Sequence, residues 1–211
     1  SCHSHNELER LPQVLAMLDQ GLDIALVSDA GTPAVSDPGG RVVEAVLAAG
    51  HAVHAVPGPS SVAAALSVSG LPVTPHHFMG FPPRKKGALR QFLLDGLGLE
   101  CSLVILESGK RLGRLIEMLA ELAPDREGVM CRELSKLHEE IKRAQLRRWD
   151  VAPVRGEVVF LVGPGAAPER KSTAPELDGA GLKAVAKVLA DRWGCSKRDA
   201  YQRLIELEES D

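Results

Sequence analysis

Apolar and polar positions follow two rhythms along this chain. Over residues 6–20, Leu8, Leu11, Leu15 and Leu18 recur at spacings of three and four, which predicts an amphipathic helix. Gly21 stands where such a helix stops. Residues 23–28 (DIALVS) form a short apolar run that predicts a buried strand. Residues 41–49 predict a second helix ended by Gly50, and residues 52–56 a second strand. The turn Pro57-Gly58-Pro59-Ser60-Ser61 leads into an alanine-rich helix stopped at Gly70. Strand, loop and helix twice in succession predict a parallel sheet with crossover helices.

The composition changes at Gly80-Phe81-Pro82-Pro83-Arg84-Lys85-Lys86-Gly87, which reads as an interdomain linker, with His76 and His77 in the loop before it. The predicted domains are 1–78, an α/β unit, and 79–165, a second one. The second unit holds a strand at 103–107, a helix at 111–122 with Leu112, Leu115, Ile116 and Leu119 on one face, and strands at 129–132 and 156–162. Residues 166–176 read as a Pro/Ala/Ser-rich tether. Beyond it, 176–211 reads as a small basic helical domain, with helices over 182–193 and 197–208. Gly194 ends the first and Ser196 caps the second, a helix-turn-helix-like pair.

The composition refines this α/β picture. Hydrophobic residues make up 45% of the 211 and aromatics only 3%, so the core must be built from Ala, Val and Leu. Cys2, Cys101, Cys131 and Cys195 form no CxxC pair, which suits a reducing, cytoplasmic setting without disulfides. No apolar run is long enough to span a membrane, and the first residues lack a signal-peptide pattern. His3 and His5 have no third ligand nearby, so no metal is expected.

Three stretches carry candidate chemistry. The loop Ser28-Asp29-Ala30-Gly31-Thr32-Pro33-Ala34-Val35-Ser36-Asp37-Pro38-Gly39 follows a predicted strand at its carboxyl end, where open α/β sheets place ligands. Gly31 permits close backbone approach. Asp29 and Asp37 can accept hydrogen bonds from an amine or a ribose, although Asp37 also fits as a helix cap. Ser60 and Ser61 sit in a second such loop, where they can bond a ligand carboxylate or cap the helix. In Arg132-Glu133-Leu134-Ser135-Lys136-Leu137-His138-Glu139-Glu140, Arg132, Glu133 and Lys136 stand nearest a strand end. His138, Glu139 and Glu140 read as a solvated face. No G-x-G-x-x-G or Walker pattern is present.

The net charge of -3 does not announce nucleic acid, yet cations cluster twice. Arg84, Lys85, Lys86 and Arg90 lie on the linker. Lys183, Lys187, Arg192, Lys197, Arg198 and Arg203 decorate the terminal helices. Both clusters suit a phosphate backbone. With so few aromatics, any RNA contact is expected to be mainly electrostatic.

Residues 25–39, 57–61 and 131–140, in that order and register, resemble the ribosomal RNA small-subunit methyltransferase I family. The linker 80–86 and Gly156-Glu157-Val158-Val159 match as well. The resemblance implies a two-domain tetrapyrrole-methylase-like (class III methyltransferase) fold with S-adenosylmethionine between the domains, usually in a homodimer. It implies methyl transfer to the ribose 2′-oxygen of a cytidine in small-subunit (16S) rRNA, within the 30S subunit. By the same similarity Ala30, Gly31, Val35, Ser60 and Ser61 line the cofactor, with Glu107, Ser135 and Gly156 from the second domain.

The family's initial strand, its Gly-Asn-Leu-Gly-Asp-type loop and its Asp-Thr-Arg segment do not occur, so the chain is expected to start partway through the first domain. Glu107-Ser108-Gly109-Lys110-Arg111 stands where the family has Glu-Ser-Pro-His-Arg, which leaves a local turn and a substrate contact open. The expected mechanism gives Lys136 or Glu133 the hydroxyl proton or the alkoxide, and Arg132 a phosphate. Two rival readings are a tetrapyrrole (uroporphyrinogen or precorrin) C-methyltransferase and a non-catalytic RNA-binding protein.

Overall fold

The computed structural model describes residues 6–150, 152–168, 181–193 and 195–208. The chain divides into two compact units, Ser1–Pro168 and Glu169–Asp211.

The first unit is organised by one five-stranded sheet in the order β1-β2-β5-β3-β4. Its strands are β1 (His76–Gly80), β2 (Ser102–Ser108), β3 (Glu127–Arg132), β4 (Glu140–Gln145) and β5 (Glu157–Val162). β1 and β2 are parallel, while β5 runs antiparallel to both β2 and β3, and β4 antiparallel to β3.

Alternation along the strands divides the core in two. Leu103, Ile105, Met130, Val158, Phe160 and Val162 point to one face. There they meet α4 (Lys86–Leu97) through Leu89, Leu93 and Leu97, and α5 (Gly109–Leu122) through Leu112, Leu115, Ile116 and Leu119. Val104, Val129, Cys131, Val159 and Leu161 point to the other face, against Ala65 and Leu66 of α3 (Ser61–Ser69). A period of two on β-branched and aliphatic residues is what buries both sheet faces. Phe160 is fully buried and meets Trp149 edge-to-face at 5.2 Å.

Two expected strands are absent. Residues 23–28 and 52–56 take no part in the sheet, and Val27 and Val56 are 82% and 89% exposed. An apolar run becomes a strand only when a neighbour accepts its ladder, and among the described residues none does so. They link helices α1 (Glu7–Asp19), α2 (Gly40–Ala48) and α3. The expected parallel sheet is therefore mixed, with only β1 and β2 parallel.

Residues 76 and 77, read as loop, open β1. Part of the expected linker opens α4, and Glu140, the last residue of the 132–140 stretch, opens β4, whose hairpin partner is β3. β1 spans the 78/79 division drawn from composition.

One buried charge ties the end of β5 to the helical layer. Arg126 is 5% exposed, and its Nη2 donates to the carbonyls of Leu97, Gly165 and Ala166 at 2.6, 2.7 and 3.0 Å. Burial lowers its pKa from the ordinary arginine value.

The second unit contains α6 (Leu182–Trp193) and α7 (Lys197–Glu208), packed through Ala186, Ala190 and Ala200. The Ser196 hydroxyl oxygen accepts from the Asp199 backbone N–H at 3.2 Å and donates to its carboxylate at 2.7 Å, so the expected cap forms. Gly194 and most of the tether lie outside the described residues, as do Cys2, His3 and His5.

Candidate active site

The candidate residues gather at one edge of the sheet: the carboxyl ends of β1, β2 and β3 and the amino end of β5. Here the backbone is unusual. Glu133 and Ser135 hold left-handed φ angles of 48° and 61°, and Gly156 holds 96°. Non-glycine residues are held there only when their surroundings insist, and such places cluster at functional sites.

Glu133 explains much of the insistence. Its backbone N–H donates to the Glu157 carbonyl at 3.1 Å, and its Oε1 accepts from the Glu157 N–H at 2.9 Å. Lys136 Nζ reaches the same Oε1 at 3.2 Å and Glu157 Oε2 at 3.4 Å. The Glu157 N–H, followed by Lys136, holds the Glu133 carboxyl below its ordinary value; the bond to Glu133 raises Lys136 above its own. Lys136 is therefore an ammonium ion at neutral pH.

Arg132 Nε donates to Glu140 at 2.9 Å and its Nη1 to the Arg155 carbonyl at 3.2 Å. The Ser135 N–H donates to Glu139 at 2.6 Å, so Glu139 and Glu140, read as a solvated face, instead brace the loop. The bend at Gly156 is joined to β2, because the Gly109 N–H donates to the Gly156 carbonyl at 2.8 Å. A proline at 109 has no such N–H.

Glu107 is 3% exposed and already engaged by the Ser108 N–H at 2.8 Å and by Arg111 at 3.0 Å. It shapes the edge rather than offering a free carboxylate. Cys131, just before Arg132, is buried, and desolvation and then Glu139 push its thiol up to about 11.

The two glycine- and proline-rich loops form a second group. Gly31 (φ 75°), Ala34 (65°), Ser36 (57°) and Gly39 (124°) give the first loop four left-handed residues. Asp37 does not cap α2; its carboxylate accepts the Ser28 hydroxyl, while Gly39 stands at the N-cap. The Gly39 N–H donates to the carboxylate of Glu7, a 6% exposed residue that sequence reasoning passed over. Thr32, also passed over, donates its hydroxyl to the Pro59 carbonyl at 3.2 Å and links the two loops. Asp29, Ala30, Gly31 and Val35 remain exposed on this loop. Ser60 Oγ accepts the Ala63 N–H at 3.4 Å and caps α3, leaving Ser61 exposed.

α3 brings these loops toward the same edge. Its C-cap, Gly70, lies against Arg143, and the following Leu71 packs near Gly163, beyond the end of β5. Nine residues at ~1.5 Å each carry the chain back across the sheet, so Ser60 and Ser61 lie toward the edge of Arg132 and Gly156. Ser36 Oγ is 3.4 Å from where a Cβ on Gly80 would stand, which sets the first loop beside the end of β1. No hydrogen bond among the described residues joins residues 29–39 to residues 132–136. A cavity of about 680 Å³ lies at the opposite edge, between Gly70, Arg126 and Gly163. It contains none of the candidate residues.

Comparison with known proteins agrees with this fold. Residues 2–150 match the family model for tetrapyrrole (corrin/porphyrin) methylases. The chain is 36% identical over 212 residues to ribosomal RNA small subunit methyltransferase I of Mycobacterium tuberculosis strain CDC 1551 / Oshkosh, covering 95% of this chain and 74% of that one. It is 37% identical to the protein of the same name from Mesorhizobium japonicum, covering 99% of this chain and 75% of that one. A crystal structure of the methyltransferase CobJ superposes with a TM-score of 0.60 at 22% identity, over 76% of this chain and 72% of that one, a likeness of fold. Matched along nearly its whole length by relatives of one name, the chain belongs to the ribosomal RNA small subunit methyltransferase I family, S-adenosylmethionine-dependent methyltransferases of the tetrapyrrole-methylase fold.

Proposed function

We propose that this chain methylates the ribose 2′-hydroxyl of a cytidine in small-subunit ribosomal RNA, acting on the assembled subunit as a homodimer. The observation that carries this is the Glu133–Lys136–Glu157 cluster, a fixed ammonium beside a strained, exposed turn at the sheet edge. The relatives' shared name supplies the RNA.

The residues present suit S-adenosylmethionine. The capped start of α3 with exposed Ser61 suits its carboxylate. Asp29, exposed and without an ion pair among the described residues, suits its ammonium. Gly31, at φ 75° with open space on its Cα, lets the backbone approach a ligand. When bound, the cofactor supplies an electrophilic methyl group.

The chain's own part is positioning and charge. Lys136, an ammonium held by two carboxylates, stabilises the oxyanion that forms as the hydroxyl gives its proton to solvent water. Glu133 holds that ammonium in place. Arg132, buttressed by Glu140 and the Arg155 carbonyl, presents its remaining N–H groups to a phosphate.

The test is transfer of labelled methyl groups to small ribosomal subunits from a strain lacking this modification, followed by alkaline hydrolysis. A 2′-O-methyl leaves an alkali-resistant dinucleotide at a cytidine. Label in an alkali-labile product, or in a uroporphyrinogen-like acceptor instead, would overturn the reading. Cofactor binding without transfer to either would point to an RNA-binding role. Sedimentation of the same preparation tests the dimer.

A further inference from the structure

We propose that Phe81, with Arg84, Lys85, Lys86, Lys110 and Arg114, forms a platform for single-stranded RNA at the rim of the candidate site. This rests on the RNA reading above and adds a surface and a mode of recognition to it.

The topology makes the platform one surface. β1 and β2 are parallel and each is followed by a helix, so α4 and α5 both begin at the edge that carries Ser108 and Gly156. Two arginines of α5 then bind the preceding loop. Arg111 Nη2 donates to the Pro82 carbonyl at 2.8 Å and Arg114 Nη1 to the Arg84 carbonyl at 2.7 Å. Arg111 is also paired with Glu107 at 3.0 Å. Arg84, Lys85, Lys86, Lys110 and Arg114 are exposed, and no ion pair holds any of them among the described residues.

Helix stability does not explain these charges. The macrodipole favours acids at a helix start and cations at its end. Here the order is reversed in both helices. Lys86 and Arg90 open α4 and Asp95 lies near its end; Lys110, Arg111 and Arg114 open α5 and Glu117 and Glu121 follow. Five unpaired cations and two positive helix ends on one rim suit a polyanion.

Phe81 decides which polyanion. It is 59% exposed, and of the described Phe, Tyr and Trp side chains it is the one left in solvent. Gly80, which ends β1 at a left-handed φ of 67° and lies beside Ser36 of the first loop, places it directly after the strand. An exposed ring among lysines and arginines is the arrangement on which an unpaired base stacks while its phosphates meet the cations. A duplex, with its bases already stacked, has no use for the ring.

The test is fluorescence anisotropy of the full chain with a labelled 12-nucleotide single-stranded RNA and with a stable RNA duplex, at several salt concentrations. Thermal unfolding of each variant runs alongside, and cofactor binding is followed by calorimetry. Phe81→Ala is expected to weaken single-strand binding about tenfold and leave duplex binding, salt slope and melting unchanged, while Phe81→Trp restores affinity. The double change Lys85→Gln with Lys86→Gln is expected to lower the salt slope by about 1.4, two single-strand phosphate contacts. Equal affinity for duplex and single strand, or an unchanged affinity in Phe81→Ala, would overturn the platform. Methyl transfer to small subunits that is insensitive to both variants would overturn it too while leaving the proposed function standing. Loss of cofactor binding by the unaltered chain would strike the function and not the platform.

Discussion

The Glu133 carboxylate folds over Gly156, with Oε1 only 2.6 Å from where a Cβ at 156 would stand. The close approach lets one oxygen reach both the Glu157 N–H and Lys136. Sequence, strain and charge meet in this pair: a glycine at φ 96° makes room for the acid that fixes the cation.

Gly156→Ala should therefore act twice. The left-handed backbone is strained by a Cβ, at about 1–2 kcal/mol, and the methyl pushes Glu133 off its bonds. We expect a lower melting temperature and at least a tenfold loss of methyl transfer. Adding Glu133→Ala should relieve the clash but leave the backbone cost, so the double variant should melt no lower than the sum of the singles. Full activity in Gly156→Ala would show that the Glu133 position does not matter to the chemistry.

The charges of Glu133 and Lys136 set a pH window. Glu133 is held below its ordinary value, so what it contributes is present above 4.5 and fades as pH falls through the lowered value. Lys136 is held above its ordinary value, so its contribution is complete below 10.5 and is lost as pH rises through the raised value. Between those limits the pair is constant, and Lys136 cannot serve as a neutral base. Lys136→Arg should keep a measurable rate with an unshifted pH profile, and Lys136→Met should lose it at every pH. A pH–rate break near neutrality that disappears in Lys136→Arg would reverse this assignment.

Much of this edge was legible in the residue order, and some of it was not. The helix over residues 111–122 carried over because its 3.6-residue stripe meets the core, and the helix over residues 6–20 formed as well, although Leu8 is 59% exposed and its leucines join none of the core clusters. The apolar runs 23–28 and 52–56 misled because a strand depends on a partner as well as on its own residues. β1 was hidden by two histidines, since His76 and His77 are exposed and only Phe78 and Met79 pack inward, one on each face of the sheet. β4 was hidden by charge: Glu140, Lys142 and Arg143 sit on an edge strand, where charged side chains are tolerated. The motifs located the loops, but the bonds of Glu7 and Thr32 span 32 and 27 residues, beyond any local pattern.

Cys131 offers a probe of the core beneath the site. Its thiol is 1% exposed and pushed up to about 11 by burial. It should resist alkylation at pH 8 in the folded protein and react fully once unfolded. Because the unfolded thiol ionises first, the Cys131 contribution to stability should fall as pH rises from 9 toward 11 and level beyond it. Cys131→Ala should remove that slope. Rapid alkylation at pH 8 without unfolding would mean that this face of the sheet opens readily.

Glu7 is the residue whose removal separates holding the first loop from building it. Its carboxylate accepts the Gly39 N–H from a buried position, and Leu26 packs against the same glycine. Glu7→Ala leaves that N–H unpaired, at about 1–3 kcal/mol, and frees a loop that holds four left-handed residues in place. Cofactor affinity should fall by roughly three- to tenfold, a part of that energy, while the β-sheet amides keep their hydrogen-exchange protection. Glu7→Gln keeps an acceptor oxygen and should recover most of the affinity. Equal binding by Glu7→Ala and the unaltered chain would show that the bonds of Thr32 and Asp37 suffice to hold the loop.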